Sequence, residues 1–340
     1  MKKQRVLVLV REGHVPPESI DGMTDEQIAP WKAEFDVVST LQERGHTARA
    51  LGVYDDIGPI RRQLQEYEPN LTFMLLEEFH GVVEYDHAIV SYLELMRQPY
   101  TGCNPRGLLL SRDKALSKKI LAYHRIPTPR FAVFPVGRKP KRPNKLQYPL
   151  IVKSATEDAS LGISQASIVN SDEALVERVR FVHKHTSSDA IAEQYIDGRE
   201  IYVSVMGNRR LTVFPPWEMV FAKMPDNVHP IATAKVKWDT KYQEKHGIDT
   251  KVAELGPELA TRVVRICKRV YRALHMSGYG RMDLRVTDDG RVYVLEANAN
   301  PNIEYGEDFA ESAEKAGVGY GELLEKIMSL GLRYRAAWKG

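Results

Sequence analysis

Residues 6–10, which read Val-Leu-Val-Leu-Val, restrict the fold more than any other stretch of the sequence. A short, uninterrupted run of β-branched residues and leucine is typical of a parallel strand that is buried on both faces. Similar strands are predicted at residues 47–53 and 71–76. Helical patterns separate these strands or follow them, at residues 25–44, 57–67 and 88–96. Strands that alternate with helices predict an open α/β sheet for roughly the first hundred residues.

Residues 280–302 predict a different arrangement, in which two strands are joined by a tight turn at residues 288–290. Pairing of these strands would bring together three side chains with oxygen ligands, Asp283, Glu296 and Asn298. Such ligands suit Mg²⁺ that also contacts phosphate, and Arg281 lies beside them to hold an anion. The alternative is a surface hairpin with ordinary salt bridges. The metal and phosphate site is preferred because other parts of the chain also predict a phosphate site.

The bulk composition is that of an ordinary water-soluble protein, with 43% hydrophobic and 27% charged residues. A length of 340 residues allows two or three structural units. The formal net charge of +3 is too small to indicate nucleic acid as a partner. Cys103 and Cys267 are far apart and predict neither a disulfide nor a zinc site. The apolar run near the start is too short for a signal peptide or a membrane span, so a cytoplasmic protein is expected.

Two further stretches have the chemistry of a nucleotide site. Lys153 ends a predicted strand, 148–153, and the loop of small polar residues at 154–163 follows it. Small residues let backbone N–H groups approach phosphate oxygens, although a hairpin turn is the alternative. A second strand, 190–195, leads into residues 193–200. Backbone groups at such a strand end can bind the edge of an adenine, and Glu200, two residues after a glycine, can reach ribose hydroxyls.

No secondary structure is predicted for residues 215–256, which are therefore expected to form a functional lid or a disordered insert. This stretch is basic and aromatic, and it contains Lys241 and Tyr242. It could bring a lysine to a phosphate site, or it could be a solvated run of charge. Elsewhere the patterns predict helices at 111–124, 171–184, 257–276 and 320–330, a strand at 131–134, and a hairpin that pairs 201–205 with 210–214.

These pieces, taken in order, resemble the ATP-grasp superfamily and most closely its D-alanine–D-alanine ligase group. The motifs that carry the resemblance are residues 100–102, 113–118, 126–129, 151–153, 193–200, 238–242 and 280–301. The resemblance implies an ATP-grasp fold of mixed α/β and α+β class in three domains. An N-terminal open parallel α/β domain would cover residues 1–103, a small central α+β domain residues 104–198, and a C-terminal α+β domain residues 199–340 with a lid at 215–256.

The resemblance also implies roles for individual residues. The lysines Lys114 and Lys153 would hold ATP phosphates, and the loop with Ser160 and Gly162 would close over them. The adenine would lie against Glu193, Gln194, Tyr195 and Ile196, and Glu200 would bind the ribose. Two Mg²⁺ ions, for which Mn²⁺ can substitute, would be held by Asp283, Glu296 and Asn298. The predicted catalytic residues are Arg281, Lys241, Tyr242 and Asn302.

The implied reaction joins a small amino acid or peptide-like acid to an amine, through an acyl phosphate. A true D-alanine–D-alanine ligase is one alternative, and an ATP-binding protein without catalysis is another. The expected partners are small molecules, with neither nucleic acid nor membrane. Dimers are common in the resembling group, so a homodimer is a further expectation.

Three segments depart from the pattern of the D-alanine ligases. The first loop, residues 11–19, is not the glycine- and serine-rich loop of those enzymes, and Glu12 or Glu18 would have to replace the glutamate that meets the substrate amino group there. The third loop keeps His80, Gly81 and Asp86 but has Glu84 and His87 where glycines are expected. After residue 300, Asn302 takes a glycine position, where its backbone N–H can still bind an oxyanion, and three acids follow, Glu304, Glu307 and Asp308. These acids would repel a carboxylate and favour a cationic or amine-rich acceptor.

Overall fold

The computed structural model describes residues 1–156, 163–225, 228–233, 235, 236 and 239–339. The first part of the chain forms a parallel three-stranded sheet. The sheet order is β2-β1-β3, and both neighbours run parallel to β1. Its elements are β1 (Arg5–Arg11), α1 (Asp25–Ile28), α2 (Lys32–Glu43), β2 (Thr47–Val53), α3 (Gly58–Glu66), β3 (Leu71–Met74) and α4 (Asp86–Leu95). The predicted α/β start of the chain is therefore confirmed.

Strand β1 is buried on both faces, as its apolar run predicts. Leu7 and Leu9 belong to one core, which also contains Met282. Val6 and Val8 face a second core, which contains residues of a C-terminal helix. The period of two in a strand sends alternate side chains to opposite faces, so one strand joins both cores.

A four-stranded antiparallel sheet follows, in the order β4-β7-β5-β6. Its stretch of chain contains α5 (Pro105–Arg112), α6 (Lys114–Tyr123), β4 (Phe131–Phe134), β5 (Leu150–Ser154), β6 (Ile168–Val169), α7 (Asp172–Thr186) and β7 (Ala190–Gln194). Ser171 caps α7, since its hydroxyl accepts a 3.2 Å hydrogen bond from the Ala174 N–H. Asp113 caps α6 by accepting from two backbone N–H groups of the first turn.

The third sheet has six strands, ordered β11-β10-β8-β12-β13, with β9 paired to β8. Its stretch of chain contains β8 (Arg199–Met206), β9 (Thr212–Val213), β10 (Trp217–Phe221), α8 (Thr240–His246), β11 (Ile248–Val252), α9 (Pro257–Ala273), β12 (Tyr279–Val286), β13 (Val292–Ala299), α10 (Asp308–Lys315) and α11 (Tyr320–Arg333). Helix α11 packs on the first sheet, because Leu323 and Ile327 share a core with Val8 of β1.

The prediction that residues 215–256 lack secondary structure is wrong. Strand β10 pairs with both β8 and β11, and helix α8 lies between β10 and β11 in the chain. The helix predicted at 25–44 is broken by a 3-10 turn at Ala29–Trp31, since Pro30 cannot donate a backbone hydrogen bond. The helix predicted from 111 begins instead at Lys114, after a separate helix, α5, that the sequence pattern did not predict.

The three sheets draw on separate stretches of chain, which agrees with the boundaries at 103 and 198, but the division into domains stays a prediction. Within the described residues, no helix is both long and apolar enough to cross a membrane.

Candidate active site

The hairpin of β12 and β13 brings the predicted acidic residues together. Asp283 lies directly opposite Glu296, and Arg281 lies opposite Asn298. The turn is closed by a 2.8 Å hydrogen bond from the Gly290 N–H to the Thr287 carbonyl. A register shift follows Asp283, which marks a bulge, and bulges often re-aim side chains beside functional sites. The predicted proximity is confirmed.

Asp283 is buried and receives three hydrogen bonds. Arg281 donates to it through Nε at 2.8 Å and Nη2 at 3.0 Å, and Asn298 donates through Nδ2 at 3.1 Å. The Arg281 guanidinium also lies 4.9 Å from the centre of the Tyr202 ring. Burial alone would lower the pKa of Arg281, but Asp283 and then Asp308 raise it above its usual value. Arg281 is therefore a permanent, fixed cation beside the carboxylate pair.

Three lysines surround Glu296 and the buried Glu193. The Nζ atoms of Lys114 and Lys153 lie 3.8 and 3.9 Å from Glu296 Oε2. Lys153 Nζ is also 3.5 Å from Glu193 Oε1, and Lys118 Nζ is 3.4 Å from the same oxygen. Helix α6, with Lys114 and Lys118, and strand β5, with Lys153, thus direct their ammonium groups to one place, where they can neutralise a phosphate chain.

The two deepest lysines have opposite pKa shifts. For Lys153, burial lowers the pKa, but Glu193 and Glu296 outweigh burial and the pKa is raised. For Lys118, burial dominates and lowers the pKa to about 8, although Glu193 opposes the shift. Lys118 donates a 2.6 Å hydrogen bond to the Leu295 carbonyl, which ties α6 to β13. Lys118 lies in the motif at 113–118, which was a signal for this site, but no role was predicted for it.

A cleft between the second and third sheets unites most of the predicted ATP-binding residues. Its charged lining is made of Lys114, Lys153, Glu193, Glu200, Asp283, Arg285 and Glu296. Its remaining wall is largely apolar and includes Ile151, Tyr195, Ile196, Ile231 and Leu295. An apolar slot that opens onto lysines and carboxylates fits a flat base joined to a phosphate chain.

The strand end at residues 193–196 leaves one amide free for a ligand. The Gln194 N–H donates to the Arg130 carbonyl at 2.8 Å, and the Tyr195 N–H donates to the Pro149 carbonyl at 2.9 Å. Among the described residues, no partner contacts the Ile196 N–H. Ile196 is therefore the residue whose N–H is available to the edge of a base.

Arg285 is a site residue that the sequence did not predict. It donates to Glu200 Oε2 at 2.7 Å and to the Gly198 carbonyl at 2.6 Å. Tyr202 donates to the other oxygen of Glu200 at 2.8 Å. Glu200 is thus held in place before any ribose binds. The available signal was the spacing of two from Asp283 to Arg285, although the bulge between them weakens this signal.

Seven predicted site residues are not among those that line the cleft, and two of them, Arg281 and Asn298, contact Asp283, which does line it. Ser160 and Gly162 lie outside the described residues, as does Trp238 of the motif at 238–242. Lys241 is exposed on α8, and Tyr242 packs instead against a small core that contains Trp217. The exposed Asn302 uses its side-chain oxygen to accept a hydrogen bond from the Glu304 N–H at 2.9 Å. The catalytic roles of Lys241, Tyr242 and Asn302 stay predictions.

The acidic run after Asn302 borders Arg281. Asp308 and Glu307 both act electrostatically on Arg281. Partial burial, Asp308 and Glu304 raise the pKa of the Glu307 carboxyl. Glu304, the first acid of this run, has a cation in contact with it, because Lys32 Nζ lies 3.1 Å from its Oε1. This rim of the site therefore carries an excess of negative charge.

The donors fit a divalent cation that is shared with a ligand. Within the described part of the chain, no group of three or more His, Cys, Asp or Glu side chains is placed to hold a metal. A hard cation would depend on the two opposed carboxylates, Asp283 and Glu296, together with Asn298 and phosphate oxygens. That combination is the usual one for Mg²⁺ beside a nucleotide.

Comparison with known proteins agrees with this geometry. The family model described as "D-ala D-ala ligase C-terminus" matches residues 120–329. The chain belongs to the D-alanine–D-alanine ligase family. It is 30% identical over 316 residues to an uncharacterised protein, y4sG, of Sinorhizobium fredii, with 89% of each chain covered. It is 29% identical over 315 residues to a D-alanine–D-alanine ligase of Desulforudis audaxviator, with 91% of this chain and 95% of that protein covered.

Solved structures show the same fold at lower identity. The D-alanine–D-alanine ligase from Bacillus anthracis, complexed with ATP, aligns with a TM-score of 0.75 and 24% identity over 98% of both chains. The VanG D-Ala:D-Ser ligase from Enterococcus faecalis aligns with a TM-score of 0.69 and 17% identity, over 97% of this chain and 100% of that one. The predicted ATP-grasp fold is confirmed. Membership of the family makes the chain an ATP-dependent ligase that forms an amide bond, and the family acts on small amino acid substrates.

Proposed function

We propose that the chain uses ATP to activate the carboxylate of a small amino acid or peptide-like acid and then transfers the acyl group to an amine acceptor that carries no carboxylate of its own. One observation supports this proposal most: the cleft is lined by lysines and carboxylates that suit phosphates, and an acidic rim lies beside Arg281. The cleft supplies Lys114 and Lys153 for phosphates. The rim supplies Glu307 and Asp308.

The reaction proceeds in two steps. A carboxylate oxygen of the first substrate attacks the γ-phosphorus of ATP, the bond to the bridging oxygen of ADP breaks, and an acyl phosphate forms. The amine nitrogen of the acceptor then attacks the acyl carbon, phosphate leaves, and the nitrogen loses a proton. Positioning and charge neutralisation supply most of the rate in such phosphoryl transfers.

The side chains of the cleft divide these tasks. Lys114 and Lys153 hold the phosphates, while Glu200, fixed by Arg285, binds the ribose. Arg281 stabilises the charge that develops on the transferred phosphoryl group and on the acyl carbon's oxygen. Mg²⁺ would be held by Asp283, Glu296 and Asn298, where it would neutralise phosphate charge; two ions, and Mn²⁺ as a substitute, are part of the proposal. The loop with Ser160 and Gly162, and the segment with Lys241 and Tyr242, are proposed to cover the nucleotide.

The acidic rim decides the class of acceptor. A second carboxylate placed near Glu307 and Asp308 meets two like charges in a partly desolvated site, which costs binding energy. Lys32 does not reverse this effect, because Asp36 Oδ2 at 2.9 Å and Glu304 Oε1 at 3.1 Å already pair with it. An acceptor with an amine but no carboxylate therefore fits the rim better.

A phosphate-release assay with ATP and Mg²⁺ tests the proposal with a matched pair of acceptors. D-alanine and D-alaninamide have the same amine, but only D-alanine carries a carboxylate. Each is combined with a panel of amino acids and dipeptides as the acyl donor. We expect a higher kcat/KM with D-alaninamide. Faster turnover with D-alanine alone would instead identify a D-alanine–D-alanine ligase, and ATP binding without any turnover would contradict the catalytic assignment of the cleft.

Three other points are part of the proposal and come from the sequence. The domain boundaries follow residues 103 and 198, the protein is cytoplasmic, and it forms a homodimer. Sedimentation of the purified protein would test the last point.

A further inference from the structure

A second cleft lies at the other end of the third sheet and has a volume of about 990 Å³. Most of its lining comes from four separate segments: the start of α5, the turn between β8 and β9, the end of α9, and the chain at the end of α11. Its lining includes six arginines, Arg106, Arg209, Arg210, Arg272, Arg333 and Arg335. Glu94 is its one acidic lining residue, and Glu94 already accepts a 2.6 Å hydrogen bond from the Tyr100 hydroxyl.

Several surface arginines outside the cleft have acidic partners, and the six arginines in the cleft contrast with them. Arg44, Arg142 and Arg199 each lie within 3 Å of a carboxylate oxygen. By contrast, none of the six forms an ion pair with a carboxylate within the part of the chain that the structure describes. Six arginines against one glutamate leave five positive charges in this cleft, which exceeds the formal charge of +3 of the whole chain. Like charges held together repel, so an anion that binds there relieves the repulsion.

The floor beneath the arginines is fixed by hydrogen bonds between the segments. The Asn104 side chain donates to the His275 carbonyl at 2.8 Å and to Ser277 Oγ at 3.0 Å. Asn208 accepts from the Gly278 N–H at 3.1 Å and donates to the Leu330 carbonyl at 3.0 Å. The four segments are thus tied to one another, and the arginines project from a preorganised frame.

The cleft is separate from the ATP site. The two share no lining residue. Strand β8 contains Glu200 near its start, at the ATP site, and it ends shortly before Asn208, at the arginine cleft. This distance is roughly 20 Å at the usual rise per residue. None of the six arginines has a part in the proposed ligase reaction, so that reaction does not explain them.

We propose that this arginine cleft is a binding site for a small anion that carries several phosphate groups. Guanidinium groups bind phosphate oxygens in pairs, and six of them match a chain of phosphates better than a single carboxylate. The volume lies in the range of small-molecule sites, which favours a compact ligand over a nucleic acid duplex. The phosphate chain could belong to inorganic polyphosphate or to a nucleotide.

Isothermal titration with inorganic tripolyphosphate tests the site. The ATP site also binds phosphates, so all proteins carry Lys153→Met, which weakens that site. In this background we expect tripolyphosphate to bind, and the further change Arg209→Ser/Arg210→Ser to weaken binding roughly tenfold or more, as lost charge-assisted hydrogen bonds imply. The matched control is Arg61→Ser/Arg62→Ser on α3, two exposed arginines outside the cleft, which should bind within about twofold of the background.

A second double variant distinguishes a loss of binding from misfolding of the first one. Arg272→Ser/Arg335→Ser removes arginines from two other segments and should give the same loss. In the same background, an ATP affinity that falls with Arg209→Ser/Arg210→Ser would indicate a nucleotide as the source of the phosphates, and an ATP affinity that does not change would indicate a free phosphate chain. The proposal is overturned if both cleft variants bind tripolyphosphate as well as the Arg61→Ser/Arg62→Ser control, or if a single-stranded oligonucleotide binds the cleft and tripolyphosphate does not.

Discussion

Arg285 Nη2 donates a 2.7 Å hydrogen bond to Glu200 Oε2, and the two side chains are only 4% and 8% exposed. The pair joins β12 to β8 in the wall of the cleft, so it is both a structural contact and a part of the proposed nucleotide site. A buried carboxylate without its cation is costly, because neither water nor a counter-charge then compensates it.

Removal of this arginine should therefore destabilise the fold. We expect Arg285→Ala to lower the free energy of unfolding by about 3 kcal/mol, and Arg285→Ala/Glu200→Gln to recover much of the loss. Arg199→Ala is the control, since Arg199 pairs with Glu218 at a more exposed position and should cost under about 1 kcal/mol. Urea denaturation measures all three. A loss below about 1 kcal/mol for Arg285→Ala would contradict the assignment of a buried, essential pair.

Arg281→Ala should leave a folded protein with little activity. The guanidinium is fixed by Asp283, and in the proposed mechanism it meets developing negative charge; loss of one such donor typically costs ~10²-fold or more in kcat. Asp283→Ala should behave in the same way. Arg291→Ala is the matched control, because Arg291 lies on the same hairpin but pairs with Asp289 at the surface. Phosphate release under saturating ATP and Mg²⁺ measures the effect, and near-normal turnover of Arg281→Ala would remove Arg281 from the mechanism.

Patterns that are local in sequence predicted much of this site. The runs that form β1 and β2 and the hairpin that opposes Asp283 to Glu296 depend on neighbours within a few residues or on one tight turn. Strand β10 was missed because its five residues give a weak pattern alone, and neither of its partners, β8 and β11, is joined to it by a tight turn. Arg285 was missed because its importance comes from Glu200, 85 residues away.

The arginine cleft shows the same limit of sequence patterns more strongly. Its six arginines come from four segments and never form a basic run, so the overall charge of +3 hides them. Only the fold gathers them, through contacts such as Asn104 with Ser277.

Gly278 is a position where the fold leaves no room for a side chain. Its φ is +69°, and a Cβ there would lie 2.2 Å from the Gly102 carbonyl oxygen. We expect Gly278→Ala to lower the free energy of unfolding by about 2 kcal/mol or more, since backbone must move to relieve the clash. Gly13→Ala is the control, because a Cβ at Gly13 meets nothing within 4 Å. Equal denaturation midpoints for the two variants would contradict this close approach.

Lys118 should make stability depend on pH in a defined window. Burial lowers its pKa in the folded protein to about 8, whereas the unfolded chain holds the proton up to about pH 10.5. Between these values the unfolded state binds more protons, so the free energy of unfolding rises with pH, by at most about 1.4 kcal/mol per pH unit. Below pH 8 both states are protonated and this dependence vanishes.

The matching experiment compares wild type with Lys118→Met in Mg²⁺-free buffer from pH 7 to pH 10. We expect the wild type to gain stability relative to the variant as pH rises above 8. Lys119→Met, at the exposed neighbouring position, should show a constant difference from wild type. A constant difference for Lys118→Met as well would show that the lysine is not held with a lowered pKa.

The acidic rim should set the preference between acceptors. Glu307→Gln/Asp308→Asn removes two negative charges beside Arg281 with little change in shape. Because the repulsion of a second carboxylate is then reduced, we expect the ratio of kcat/KM for D-alaninamide to that for D-alanine to fall by roughly tenfold. Glu311→Gln, one turn further along α10, is the control and should leave the ratio unchanged. The two acceptors differ only in the carboxylate, so a ratio that stays constant in Glu307→Gln/Asp308→Asn would show that these acids do not select the acceptor, whatever the total activity of the variant.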